Sequence, residues 1–317
     1  MSLVVSGLTT YVNEQEFPLV GALQVAPEMT VSKGVTIRNG IKGSVRLHFG
    51  ETDVIFQSGG GCSGSAAGTT TLTEKTLEVG RIRVKEEICF DDLVEKYAEQ
   101  TLKQGLLNGK QTEPSDFAAF YYSEKQAKIN NQLELSDWQG DTTSGAANWN
   151  KYDGWIKFID AGSPVDGNTD NQTTVSLSNV VAAVRNMYMA IPDALKYRTD
   201  LVLFLPYSWH QMYCQALITA NLYHFKGDEA SQTYIIGTNV KLIPTYGLSA
   251  GTLTTYGRMF LTYPSNLVLG MDLESDKDVT MRIDPVTNEK VIYEAQWSRG
   301  TQVMFPEHVV EFTLHGS

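Results

Sequence analysis

Ser208, His210 and Asp200 are the nearest this sequence comes to a hydrolytic constellation. A serine nucleophile needs a base to take its proton and an acid to orient that base. The three residue types occur in one short stretch, but no Gly-x-Ser-x-Gly elbow surrounds Ser208. The other histidines, His48, His224, His308 and His315, are scattered, and none stands in a catalytic motif. Cys62, Cys89 and Cys214 lie far apart with no Cys-x-x-Cys or His-x-x-x-His spacing, which argues against both a zinc site and a disulfide framework. Asp272, Glu274, Asp276 and Asp278 alternate, yet the glycine and terminal glutamate of an EF-hand loop are missing, so they read as a solvated acidic loop. SGGGCSGSAAGTTT at 58–71 has the glycines of a phosphate cradle but not the Lys-Ser/Thr pair opening a helix. No Gly-x-Gly-x-x-Gly opens a helix after a strand. The expectation is therefore no catalytic residue, no cofactor-binding residue and no metal ligand.

What the chain presents instead is shape. Its 317 residues carry a formal charge of −11 and 42% hydrophobic residues, enough apolar surface for a sizeable core. An acidic chain is poorly suited to gripping nucleic-acid phosphates, which call for clustered positive charge. Its longest aliphatic or aromatic run, Leu201–Leu205, is far short of the roughly 20 residues of a membrane-spanning helix. The opening MSLVVSGLTTYVNEQ lacks the basic start and apolar stretch of a secretion signal, so residence in the cytoplasm of the producing cell is expected.

Residues 1–34 read as an extended arm broken by Pro18 and Pro27, packed on its own domain or on a neighbouring subunit. VTIRNGIKGSVRLHF (35–49) and TLTEKTLEVGRIRVKEE (71–87) read as two strand arms around the glycine-rich tip. FDDLVEKYAEQTLKQG predicts an amphipathic helix, with Asp91 and Asp92 in its first turn where the helix dipole favours negative charge. A longer helix runs from Pro114 to about Ser136 with an incomplete apolar stripe, closed by WQGD. Then WIKFID opens a second region. SLSNVVAAVRNMYMAIP predicts a helix, LVLFLP a buried strand, SWHQMYCQALITANL a helix and NVKLIP a strand, together a small α/β unit. FLTYPSNLVLGMDLE reads as a further strand interrupted at Pro264. DVTMRIDPVTNEKVIYEAQWS reads as a hairpin turning at 284–288, and TQVMFPEHVVEFTLH as a closing strand or two.

That order of elements resembles the major capsid proteins of tailed bacteriophages, the Hong Kong-97 type fold. Three segments carry the resemblance: VGRIRVKEEICFDDLVEKYAEQ (79–100), the 114–141 segment ending WQGD, and YPSNLVLGMDLESDKD with YEAQWSRGTQVMFPEHVVEF. It implies an α+β chain divided into an N-terminal arm (1–34), an extended β-hairpin loop (35–87), a peripheral domain with a long spine helix (88–160), an α/β axial domain (161–270) and a returning peripheral hairpin with closing strands (271–317). It also implies self-assembly as hexamers and pentamers into an icosahedral virion shell around double-stranded DNA, put together in the host bacterial cytoplasm. The implied partners are further copies, a scaffold, a portal and cement proteins; packaged DNA is contacted without sequence specificity, and no membrane is involved. Many members carry a cleaved helical scaffolding segment; here the arm starts almost at once, which suggests a separate scaffold or none. No Lys–Asn crosslink pair is identified.

Two other readings stay open: an encapsulin-like nanocompartment shell, and a cytosolic α/β hydrolase built on residues 155–270. For the shell reading, the contact residues proposed are Arg38, Lys42, Arg46, Lys75, Arg81, Arg83 and Lys85 of the hairpin, facing acids such as Glu86 and Glu87 next door. The same alternation of charge also serves simply to keep a ribbon soluble. If the pairing reading holds, reversing Arg81 and Arg83 together blocks assembly without unfolding the subunit, as sedimentation and thermal denaturation would show; unchanged shells refute it.

Overall fold

The computed structural model describes residues 30–56, 68–89, 114–220, 234–248, 257–272, 278–283 and 290–314. Most of the N-terminal arm, most of the glycine-rich tip, the helix expected after Cys89 and the 284–288 turn lie outside the described residues, as do Glu274 and Asp276.

Two sheets share one core. The first holds five strands in the order β5 (Val165–Asp166), β12 (Val310–Thr313), β8 (Arg258–Thr262), β6 (Val202–Pro206) and β7 (Lys241–Thr245). Every residue of β6 is buried, because both faces of the sheet are covered. Leu203 and Leu205 point to helices α3 (Val180–Met189) and α5 (Tyr207–Thr219), while Val202 and Phe204 point to the opposite cluster around Trp138 and Trp155. A strand buried on both sides must be apolar throughout, which is why LVLFL runs without alternation. Helix α4 (Asp193–Lys196) is a single turn beside α3 in sequence.

The second sheet is organised by β11 (Lys290–Val303). β4 (Gly80–Cys89) pairs antiparallel along it from Lys290 to Arg299. On the opposite edge β10 (Asp278–Ile283) and then β9 (Leu267–Met271) follow one another, and β1 (Thr36–Arg38) lies parallel to β9. FLTYPSNLVLGM is therefore two strands in two sheets, not one interrupted strand. Pro264–Asn266 form a 3₁₀ turn between β8 and β9. Asn266 holds the crossing by donating from Nδ2 to the Phe305 carbonyl (2.8 Å) and accepting from the Phe305 N–H (2.8 Å).

The long helix α1 (Pro114–Gln139) begins at its expected proline and runs 26 residues, about 39 Å. Its last third is sunk in the core, with Ile129, Leu133, Leu135 and Trp138 buried. The Trp138 ring stacks on Phe260 (centroids 5.5 Å apart) and meets Trp155 of α2 (Trp155–Ala161) edge-on at 5.2 Å. Polar residues on the same stretch are buried too. Asp137 is paired with Arg299 of β11 through Nε to Oδ1 (2.9 Å) and Nη2 to Oδ2 (2.5 Å), and the Tyr152 hydroxyl adds a bond of 2.7 Å to Oδ1. Glu134 accepts from the Thr30 hydroxyl (2.6 Å) and N–H (3.3 Å), and Thr30 Oγ1 accepts in turn from Trp138 Nε1 (2.9 Å).

Burial pushes the Glu134 carboxyl up to about 7, against the bonds from Thr30 that favour its anion; neighbouring Asp137 adds to the rise. The folded state then holds a proton that the unfolded chain has released above its ordinary value of 4.5. Stability from this group is full below that value and is lost as pH rises through about 7. We expect wild-type subunit stability to fall across this window by on the order of 3 kcal/mol more than that of Glu134→Gln, measured by urea denaturation at fixed salt.

Candidate functional site

Beyond the two sheets stands a separate two-stranded ribbon. β2 (Ser44–Thr52) and β3 (Thr70–Glu78) pair antiparallel from Ser44↔Glu78 to Thr52↔Thr70, and the Asp53 N–H extends the ladder to the Thr69 carbonyl at 2.9 Å. The stretch read as a single descending arm, 71–87, thus divides at Val79. Its first half makes the ribbon and its second half, β4, joins the β11 sheet. The division has a steric basis. A Cβ at Gly300 would run into the Glu78 carbonyl, and one at Gly80 into the Lys151 carbonyl, so the chain turns from ribbon to sheet only where backbones can touch.

The ribbon's faces differ. On the inner face Leu47 and Leu77 pack against Ile41 and Val268, with Val79 and Met304 beside them. Phe49 sits edge-on to Phe305 at 5.0 Å. Gln302 Nε2 donates to the Thr76 carbonyl (2.8 Å), and Lys75 Nζ to the Val303 carbonyl (3.2 Å) while lying over the Phe49 ring. Burial lowers the Lys75 pKa, and Glu307 partly offsets this. The outer face carries Arg46 and His48 around Glu74, at 3.2 and 3.7 Å, and then Leu72, which is 82% exposed. Past the last pair come Val54, Ile55 and Phe56, which are 68%, 54% and 95% exposed. The root is thus anchored to its own chain, and the far end presents apolar side chains to water.

The residues proposed for contacts from sequence are spread over three places. Arg38 and Lys42 are exposed near the ribbon's foot. Arg46 is engaged by Glu74 across the ribbon, and Lys75 is turned inward. Arg81, Arg83 and Lys85 line the exposed face of β4, where Arg83 pairs with Glu294 and Lys85 with Glu87 (3.2 Å). Glu86 is on the other face, paired with Lys125 of α1. Five of the proposed contact residues thus already have an ionic partner within the chain, in the pairs Arg46–Glu74, Arg83–Glu294, Lys85–Glu87 and Lys125–Glu86. The exposed apolar tip escaped the sequence reading. Its signal was there, in three consecutive large apolar residues bordering a glycine-rich segment.

The structure does not assemble the hydrolase alternative. Arg198 takes the Asp200 carboxylate in two bonds of 2.9 and 2.7 Å. His210 Nε2 lies 4.0 Å from Cys214 Sγ, but burial pushes the Cys214 thiol up, away from the thiolate a nucleophile needs. Among the described residues no group of three or more His, Cys, Asp or Glu side chains is placed to hold a metal ion, and no helix is long and apolar enough to cross a membrane.

No family model matches the chain, and no curated relative matches it by sequence. Solved structures do. A chain of the satellite phage P4 procapsid, a structure that includes the size determination (Sid) protein, superposes with TM-score 0.58 at 12% identity, covering 94% of this chain and 90% of that one. The capsid of Myoviridae phage XM1 gives 0.56 at 13% identity, with 92% of each chain covered. The capsid of the native GTA particle gives 0.55 at 10% identity, with 91% of each covered. The chain has the mixed helix-and-sheet Hong Kong-97 type fold of tailed-phage capsid proteins.

The two ribbon faces should respond differently to truncation. Leu77→Ala, at a fully buried position, should cost about 2–5 kcal/mol and expose β2 and β3 to limited proteolysis, whereas Leu72→Ala should change subunit stability by less than about 0.5 kcal/mol.

Proposed function

We propose that this chain is the shell subunit of a tailed phage, self-assembling as hexamers and pentamers into an icosahedral capsid that encloses double-stranded DNA. The observation that carries the reading is the ribbon. Two strands alone are marginal in water. This pair has a root seated on its own chain and an apolar far end that, among the described residues, has no surface beneath it. A neighbouring copy supplies the missing surface, and the match in fold to capsid chains supports that choice of neighbour. The net charge of −11 accords with a shell that contains DNA without binding it tightly.

In this reading the chain divides into the arm (1–34), the extended loop (35–87), the peripheral domain with α1 as its spine (88–160), the axial domain (161–270) and the returning closing strands (271–317). The 44–78 ribbon is the projecting part of the loop. A scaffold, a portal and cement proteins complete the particle, whose place is the virion after assembly in the host cytoplasm. The subunit itself performs no catalysis.

Size-exclusion chromatography with negative-stain microscopy of the purified chain, across a concentration series, tests the proposal. Rings of five and six copies, or megadalton shells, are the expected outcome. A monomer or small oligomer that persists at the highest concentration would overturn it.

A further inference from the structure

The chain between β1 and β2 is pinned at two points to consecutive residues of β9. Arg38 is the register partner of Gly270, and the Ile41 N–H donates to the Met271 carbonyl at 3.1 Å. Three steps along one segment thus stand against one step along the other, and Asn39 and Gly40 are thrown outward between the pins. Gly40 makes the turn with φ +82°, in the left-handed region that glycine enters without strain. Both residues are exposed, and among the described residues neither the Asn39 carboxamide nor the Gly40 N–H has a hydrogen-bond partner. They are also the only Asn-Gly pair among the described residues. The excursion ends in the core: Ile41 is 3% exposed and packs with Leu47, Leu77 and Val268 at the ribbon's root.

We propose that Asn39 is a site of spontaneous deamidation, and that its isoaspartate product loosens the seat of the ribbon. The Gly40 nitrogen attacks Cγ of Asn39, the Cγ–Nδ2 bond breaks, and Nδ2 leaves as ammonia with the Gly40 amide proton. Water then opens the resulting succinimide. Opening at Cγ gives aspartate; opening at the main-chain carbonyl gives isoaspartate, whose chain runs on through Cβ and Cγ. Water is the only co-reactant, and each event exchanges an amide for a carboxylate. The position suits every step. With no Cβ on Gly40, nothing crowds the attacking nitrogen. No hydrogen bond has to break before carboxamide and nitrogen meet. Exposure lets water reach the ring.

The consequence follows from the pins. The isoaspartate main chain is longer by one atom, and a two-residue excursion has little length in which to absorb it. The displacement falls on β1, which is three residues long, or on Ile41, whose movement forfeits contacts in a close-packed seat. This chemistry needs one subunit only, so it stands whether or not copies assemble.

The test ages the full folded chain in warm, mildly alkaline buffer made with heavy-oxygen water, and reads peptides by mass spectrometry after digestion at mildly acidic pH. Asn39 should convert about tenfold or more faster than any other described asparagine, taking up the heavy oxygen, with isoaspartate the major product. Limited proteolysis within β2 and β3 should be faster for the aged wild type than for the fresh chain. Ageing should leave it unchanged in Asn39→Gln, whose longer side chain closes a ring far more slowly. Fresh Asn39→Asp adds the charge without lengthening the chain and should be cut at the fresh wild-type rate. An Asn39 that converts no faster than the other described asparagines overturns the site. Conversion with ribbon proteolysis unchanged, Asn39→Gln ageing as wild type, or fresh Asn39→Asp cut as fast as the aged chain overturns the loosening by isoaspartate.

Discussion

A carboxylate and a guanidinium, both nearly out of water, tie the end of the long helix to the longest strand. Asp137 and Arg299 are 1% and 2% exposed at their side chains, and Arg299 sits where β11 is paired on both edges, to Gly80 on one side and Met271 on the other. Helix, ribbon foot and sheet are therefore fixed by the same few atoms. Such a pair adds little net stability over a well-packed apolar substitute, yet losing one partner is costly, on the order of 3–5 kcal/mol, because the other charge is left buried alone. What the pair supplies is position. The end of α1 is held by Asp137, Glu134 and Trp138, one to two turns past Ile129 and Leu133.

The same division of labour governs the ribbon. Its inner face makes an apolar seat, an aromatic edge contact and two side chain–backbone bonds within six residue pairs of the root. Beyond Phe49 the described residues offer its inner face no further packing. Exposed apolar side chains scattered singly are ordinary, but Leu72 and Val54–Phe56 fall together at one end of a thin projection. A firm root also sets the direction in which that end points.

Local patterns made much of this legible. The unbroken β6 run, the helical spacing of α3, the alternation of β10 and β11 and the proline opening α1 each reflect a contact made close by in the chain or a burial on both faces. What escaped was non-local. TLTEKTLEVGRIRVKEE alternates in the same way whether its partner is the preceding strand or β11 some two hundred residues on, and only Gly80 hints at the change. The apolar stripe of α1 looked incomplete because Glu134, Ser136 and Asp137 are among its buried residues. Their partners, Thr30 and Arg299, lie far away in sequence, so the pattern read as exposure where the structure has a satisfied polar core.

A projection with an apolar far end restricts what assemblies are possible. A two-fold contact uses the same patch on both subunits, whereas a head-to-tail contact repeats around an axis and closes into a ring when the rotation allows. The rotation is set where the ribbon leaves the body, at the close backbone crossings of Glu78 over Gly300 and of Lys151 on Gly80, and these cannot slide without a steric collision. Where rings of five and six copies are built from one sequence, as proposed above, the adjustment between them falls elsewhere than at these crossings.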